Sequence, residues 1–301
     1  MIDVIIPVYK PGKELSRLLQ MLMKQTVKPS RILIVNTEET LFDQRCLEGT
    51  QGVEVVHIRK KEFDHGGTRH MAAMKLQGAF LLFLTQDAVP SDEHVIGELY
   101  NAFGDPQVAA AYARQLPARD CSILERYTRS FNYGEKSRVK RAEDLPELGI
   151  KTFFCSNVCA MYRRSTYEEL GGFERKTIFN EDMIFAGRLI QRGYAVAYCA
   201  GARVIHSHNY SCMQQFHRNF DLGVSQAEHP DIFQMARSES EGIKMVKQSA
   251  AYLARIKKPY LIPYLVMQSG CKFLGYRLGK SYEKLPQWLI NKCTMNHDYW
   301  R

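Results

Sequence analysis

Short apolar runs alternate with stretches of helical spacing along the first 210 residues. Asp3-Val4-Ile5-Ile6-Pro7-Val8-Tyr9 is rich in β-branched side chains and ends in Lys10-Pro11-Gly12, the pattern of a buried strand entering a turn. Leu15, Leu18, Leu19 and Leu22 then recur at the spacing of one helix face over 14–25. Residues 31–35, 53–58 and 79–85 read as further buried strands. Residues 68–78 read as a helix, with Met71, Met74 and Leu76 among its apolar positions. Strands alternating with helices predict βαβ crossovers and an α/β fold on a mostly parallel sheet. Ligands of such sheets lie at the carboxyl ends of the strands. That rule singles out Pro7 to Tyr9, Asn36-Thr37, the loop after Ile58, and Thr85 to Ala88.

The second half is less regular. Residues 110–150 are polar and read as a loop and helix insertion, and 152–162 as a mixed strand region. A short helix over 167–171 ends at Gly171-Gly172, a C-cap pattern. A helix over 181–192 precedes a strand over 195–205 that stops at His206-Ser207-His208. Past Tyr210 the pattern turns helical and amphipathic. The expected division is a catalytic body over 1–210 and a helical region over 211–301.

Charge sharpens that division. The 301 residues carry 41 Lys and Arg against 32 Asp and Glu, a net charge of +9. Residues 1–242 hold 30 basic and 30 acidic side chains, whereas 243–293 hold ten basic residues and one acid, Glu283. A neutral body with one basic end suggests a surface that docks something anionic, and not a nucleic-acid binder, which would be basic throughout. At 45% hydrophobic and 24% charged the composition is that of a globular chain. The N-terminus lacks the pattern of a secretory signal, and no apolar run reaches membrane-spanning length. Eight scattered cysteines without a C-x-x-C pair read as free thiols in a reducing cytoplasm.

Four constellations could carry chemistry. Asp87 follows a buried strand and reads either as a turn aspartate before Pro90 or as a ligand for a hard cation holding phosphate oxygens. Glu181-Asp182 at a helix start are either favourable helix-terminal charges or a general base with a partner; adjacent carboxylates repel, which favours different roles for the two. His206 and His208 share one side of an extended segment and could ligate a metal, or simply sit satisfied. Phe63-Asp64-His65-Gly66-Gly67-Thr68-Arg69-His70 pairs two glycines, which permit close approach to a ligand, with a helix start at Thr68 and an Arg able to fork onto phosphate. A Gly-Gly turn capped by Thr68 is the plain structural alternative.

The order of these motifs resembles the inverting glycosyltransferases of family 2, with their GT-A nucleotide-diphosphosugar fold, over roughly residues 1–210. The string from Phe63 to Arg69 is similar to the F-x-H-G-G-T-R-N signature of bacterial rhamnosyltransferases in that family, and Thr85-Gln86-Asp87-Ala88 to their T-Q-D-A. The resemblance implies a nucleotide-sugar site built from Pro7, Val8, Tyr9, Asn36, Asp64, Gly66, Gly67, Arg69, Gln86 and Asp87. It implies a divalent cofactor, Mg²⁺ or Mn²⁺, on Asp87 with His206 or His208, His206 preferred because it comes directly off the strand. Asp182 becomes the base, beside Glu181. Only the second acid of the family's Asp-x-Asp motif is present, Asn36 replaces an acid common after the second strand, and His70 replaces the Asn after Arg69. The implied reaction is a single displacement that moves L-rhamnose from dTDP-L-rhamnose, or another sugar from a donor such as a UDP-hexose, to an acceptor hydroxyl. The acceptor would be a polysaccharide or a glycan linked to polyprenyl diphosphate. The basic, aromatic-rich stretch 243–293 would then hold the enzyme on the inner face of the cell membrane, or serve self-association.

Overall fold

The computed structural model describes residues 1–235 and 239–300. Its strands are β1 (Ile2–Tyr9), β2 (Arg31–Thr37), β3 (Val53–Ile58), β4 (Phe80–Leu84), β5 (Val89–Pro90), β6 (Val108–Leu116), β7 (Arg138–Lys140), β8 (Cys159–Arg163) and β9 (Ala195–Ile205). The helices used below are α1 (Lys13–Lys24), α2 (His65–Met74), α3 (Val95–Asn101), α4 (Ile123–Asn132), α5 (Arg164–Glu169), α6 (Glu181–Gln191), α7 (Cys212–Glu228), α8 (Glu239–Arg255), α9 (Ile262–Gly279) and α10 (Gln287–Cys293). The chain forms two compact units, one of 1–118, 133–176 and 181–206, the other of 119–132, 177–180 and 207–301.

The first unit is built on one nine-stranded sheet of order β3-β2-β1-β4-β8-β6-β9-β5, with β7 also beside β9. β3, β2, β1 and β4 run parallel, as their crossover helices require. The sheet is otherwise mixed: β8 is antiparallel to both β4 and β6, and β9 is parallel to β6 but antiparallel to β5 and β7. An apolar run reports burial on both faces and is silent about direction, so the antiparallel half was not visible in the pattern. β6 lies partly in the stretch read as an insertion because its Val108-Ala109-Ala110-Ala111 start has little intrinsic strand preference.

Both faces of the sheet are covered. Val4, Ile6 and Val8 of β1 pack with Leu15, Leu18, Leu19 and Leu22 of α1 in the larger core. On the other side Phe83 meets Phe173 at 5.0 Å between ring centres, and Tyr162 meets Phe185 at 5.7 Å. Rings at those separations add roughly 0.5–1.5 kcal/mol beyond their burial. Strand order reverses at β1, since β2 and β3 lie to one side and β4 to the other. A cleft at the carboxyl ends of β1 and β4 is therefore the expected ligand site.

The second unit is helical. Ser211 and Gln214 cap the start of α7 reciprocally, each side chain bonding the other's backbone N–H. α7 and α9 pack backbone to backbone: a Cβ at Gly275 or Gly279 would run into the carbonyls of Phe216 or Phe220. The buried Asp221 carboxylate accepts from the Thr294 hydroxyl at 2.6 Å and the Met295 amide at 3.0 Å, fastening the C-terminal segment. Burial pushes Asp221 up to about 6, against those hydrogen bonds. Among the described residues no helix is long and apolar enough to cross a membrane. All eight cysteines are free, five of them buried.

Candidate active site

The carboxyl ends of β1 and β4 are tied by one side chain. Gln86 accepts from the Tyr9 N–H at 2.9 Å and donates back to the Tyr9 carbonyl at 3.1 Å. An amide can make this reciprocal pair; a carboxylate, with no donor, cannot. The glutamine at the middle position of Thr85-Gln86-Asp87 thus clasps the two strands that border the switch point. Pro7 and Tyr9 are accessible there, whereas Val8 is buried in the core.

Helix α2 starts earlier than its sequence suggests. Asp64, not Thr68, is the N-cap: its carboxylate accepts from Gly67 N–H, and the Thr68 hydroxyl accepts from Asp64 N–H at 3.0 Å. Asp64 also accepts from the Lys176 N–H at 3.1 Å. Gly66 and Gly67 therefore occupy the first helical turn instead of a Gly-Gly turn. A Cβ at Gly67 would crowd the capping carboxylate at 2.9 Å, so the glycine permits the cap. Aspartate out-competes threonine for the cap because its ionised oxygens meet the positive helix end.

One turn on, Arg69 is buried and faces α6. Its Nη1 donates to the His65 carbonyl at 2.8 Å and lies 3.3 Å from Glu181 Oε1, both side chains being 8% exposed. Its Nε is buried with no hydrogen-bond acceptor among the described residues. Burial alone would raise the Glu181 pKa, but Arg69, His65 and the Asn157 amide outweigh it and hold it below the usual carboxylate range. Asp182 is shifted the other way. Burial and the neighbouring Glu181 charge raise it to about 7, despite hydrogen bonds from the Asn157 and Met183 backbone N–H groups at 2.9 and 2.8 Å. Two adjacent acids are thus shifted in opposite directions, Glu181 toward its ionised form and Asp182 toward exchanging a proton near neutral pH.

Asn157, which the sequence reading missed, organises both acids. Its backbone N–H serves Asp182, its side-chain Nδ2 donates to Glu181 at 3.1 Å, and its Oδ1 accepts from Tyr162 at 2.8 Å. Its position just before β8 was the available signal, since strand ends of this sheet face the site.

Asp87 meets His206, the last residue off β9, with Oδ2 to Nε2 at 3.5 Å. The other ring nitrogen, Nδ1, lies 3.1 Å from Gln115 Oε1, and Gln115 Nε2 donates to Ser156 Oγ at 3.0 Å. With Gln115 so oriented, Nδ1 donates to it, and Nε2 is the nitrogen that faces the Asp87 carboxylate. A neutral His206 so placed could share a cation with Asp87, and the Gln115 contact is the outer-shell support that metal-binding histidines commonly have. The Asp87 carboxylate suits Mg²⁺ or Mn²⁺, and the imidazole nitrogen beside it favours Mn²⁺ of the two.

The remaining sequence candidates divide. Asn36 is fully buried; its amide donates to the Glu38 carbonyl at 3.0 Å and lies 3.0 Å from His57 Nδ1. His208 belongs to the second unit, its ring 5.1 Å from that of Tyr210. His70 packs where Gly172 leaves room, 3.3 Å from the Tyr167 hydroxyl and 3.2 Å from Arg175. Burial and Arg175 lower its pKa, so it is neutral.

A mixed α/β sheet with a cation-suited pair at strand ends and a buried acid pair beside an arginine defines a nucleotide-sugar transferase of the GT-A type. The family model "Glycosyl transferase family 2" matches residues 3–171, and the chain belongs to that family: it is a glycosyltransferase. It is 40% identical over 301 residues to the O-antigen chain rhamnosyltransferase RfbN of Salmonella typhimurium, covering 99% of this chain and 96% of that one. It is 40% identical over 300 residues to the O-antigen chain rhamnosyltransferase WbaN of Salmonella anatum, covering 99% and 95%. The fold is similar to the mannosyltransferase PcManGT of Pyrobaculum calidifontis in complex with GDP-Man and Mn²⁺, at TM-score 0.55 and 14% identity over 98% of this chain and 86% of that one. It is likewise similar to S. aureus TarS in complex with UDP-GlcNAc, at TM-score 0.53 and 14% identity over 94% and 91%.

Proposed function

We propose that this chain is a rhamnosyltransferase that moves L-rhamnose from dTDP-L-rhamnose to a hydroxyl of a polysaccharide precursor carried on polyprenyl diphosphate, with inversion. The observation that carries the mechanism is the Asp182 carboxyl, held by two backbone N–H groups and raised to about 7 beside an ionised Glu181. In that state Asp182 takes the acceptor's hydroxyl proton as the oxygen attacks the anomeric carbon and the bond to the diphosphate breaks. Asn157 and Arg69 fix the acid pair. A divalent cation on Asp87 and His206 would neutralise the departing diphosphate. His208 is the alternative ligand, separated from His206 by comparing the metal requirement of His206→Ala and His208→Ala. The sugar assignment rests on the two O-antigen rhamnosyltransferase relatives. Nucleotide release and product mass from dTDP-L-rhamnose and UDP-hexoses, with a lipid-linked acceptor and with or without chelator, test it. Turnover with dTDP-L-rhamnose that chelation abolishes supports the reading; turnover only with UDP-hexoses refutes the donor.

We also propose that the second unit docks on the cytoplasmic face of an anionic membrane. Eight of the ten basic residues of 243–293 are exposed. On α9, Pro263, Val266, Met267, Phe273 and Leu274 form an exposed apolar stripe. Apolar side chains beside lysines suit an interfacial helix. Co-sedimentation with phosphatidylglycerol vesicles that salt weakens is the expected result.

A further inference from the structure

The second unit contains a cavity of about 210 Å³, lined wholly by its own residues. Tyr264, Gln268 and Lys272 enter it from α9 at positions i, i+4 and i+8, hence from one helix face. Gln215 of α7, Ser122 and Glu125 at the start of α4, and His208 are among the other polar lining residues.

Much of this hydrogen-bonding capacity is unspent. No described residue bonds the Gln215 side-chain amide or the Lys272 ammonium. Gln268 spends only its Nε2, on the Tyr210 carbonyl at 3.4 Å, leaving its Oε1 for a ligand. Glu125 is held by Arg129 at 2.6 Å, and both side chains are largely buried, at 13% and 15% exposure. Burial lowers the Lys272 pKa, with Glu125 pulling the other way.

The lining selects a chemical class. An apolar occupant would strand the two amides and the ammonium, at a cost of about 1–3 kcal/mol for each group. A free phosphate would meet the Glu125 carboxylate. A neutral polyhydroxyl ring supplies both donors and acceptors and can lie against the Tyr264 ring. The space of about 210 Å³ is of a size to admit one sugar ring.

We propose that this cavity binds one sugar ring of the acceptor glycan and so contributes to acceptor specificity, a role that rests on the reading of the chain as a glycosyltransferase. The recognition is by amide and ammonium hydrogen bonds from α7 and α9.

The full-length chain tests this in two ways. Saturation-transfer NMR with the methyl pyranosides of galactose, mannose, glucose and rhamnose reads binding without turnover. Steady-state transfer to the lipid-linked acceptor reads KM and kcat, with acceptor-independent hydrolysis of dTDP-L-rhamnose alongside. Gln268→Leu and Lys272→Met should each raise the acceptor KM at least about tenfold, the loss of one buried hydrogen bond, and remove the saturation signal of the bound glycoside. The kcat and donor hydrolysis should stay within about twofold. The gentler Lys272→Gln, which keeps a donor, should lie between. Unchanged acceptor KM and unchanged glycoside signals would overturn the proposal. Absence of donor hydrolysis and transfer in the wild-type chain would strike the donor assignment instead, while the glycoside signals would still read the cavity.

Discussion

Arg69 and Glu181 of the first unit are each 8% exposed and paired at 3.3 Å, whereas eight basic side chains of 243–293 in the second unit are exposed, and Glu283 is the one acid of that stretch. The two regions use charge in opposite ways. In the first, few charges act through low dielectric and fixed hydrogen bonds, so each is worth much and tolerates little. In the second, many charges act through their sum, each is screened by salt, and single losses matter little.

Removing one buried partner should show the contrast most strongly. Arg69→Met leaves Glu181 uncompensated, and breaking such a pair costs about 3–5 kcal/mol. Glu181, now held low, would rise above its unfolded value. Its stability contribution would then be present at low pH and lost as pH rises, so thermal melts of the variant should fall more steeply between pH 5 and pH 8 than those of the wild type, which Asp182, raised to about 7, already tilts the same way. A profile parallel to that of the wild type would show that Arg69 does not hold Glu181 ionised. Next in size, Gly279→Leu forces a side chain between α7 and α9, where overpacking costs about 1–3 kcal/mol or more; limited proteolysis should open the second unit first. On the exposed stripe, Phe273→Asp with Leu274→Asp removes two apolar side chains worth about 1.5–3 kcal/mol each when fully buried. Vesicle binding should drop at least about tenfold while soluble-acceptor turnover persists. Smallest, Gln86→Leu deletes the clasp on Tyr9, about 0.5–1.5 kcal/mol per hydrogen bond; donor KM should rise with kcat nearly unchanged.

The sequence showed what repeats or stands at a strand end, and not what depends on direction or on distant pairing. The parallel strands β1 to β4, Asp87, and the acid pair were legible because apolar runs stop at them. The antiparallel neighbours of β8 were not, since burial pattern carries no direction. Asp64 was read as a binding residue when it is also the cap of α2, because a threonine four residues on offers the same signature. Asn157 and Gln115 went unnoticed: each earns its place by a contact 24 to 91 residues away, and nothing local marks it. The two glycines of α9 announced no turn; their meaning lies in the carbonyls of α7.

The central claim is that Asp182 is the base, tuned by burial and by Glu181. The direct test is the pH dependence of kcat/KM for rhamnosyl transfer in the wild-type chain and in Asp182→Asn, at saturating divalent cation. A base raised to about 7 must lose its proton to act, so the wild-type rate should climb about tenfold per pH unit below 7 and level off above it. Asp182→Asn should lose about 10²- to 10⁴-fold in rate, with the limb near 7 gone. A variant that keeps wild-type turnover, or loses rate while keeping the same limb, would contradict the assignment.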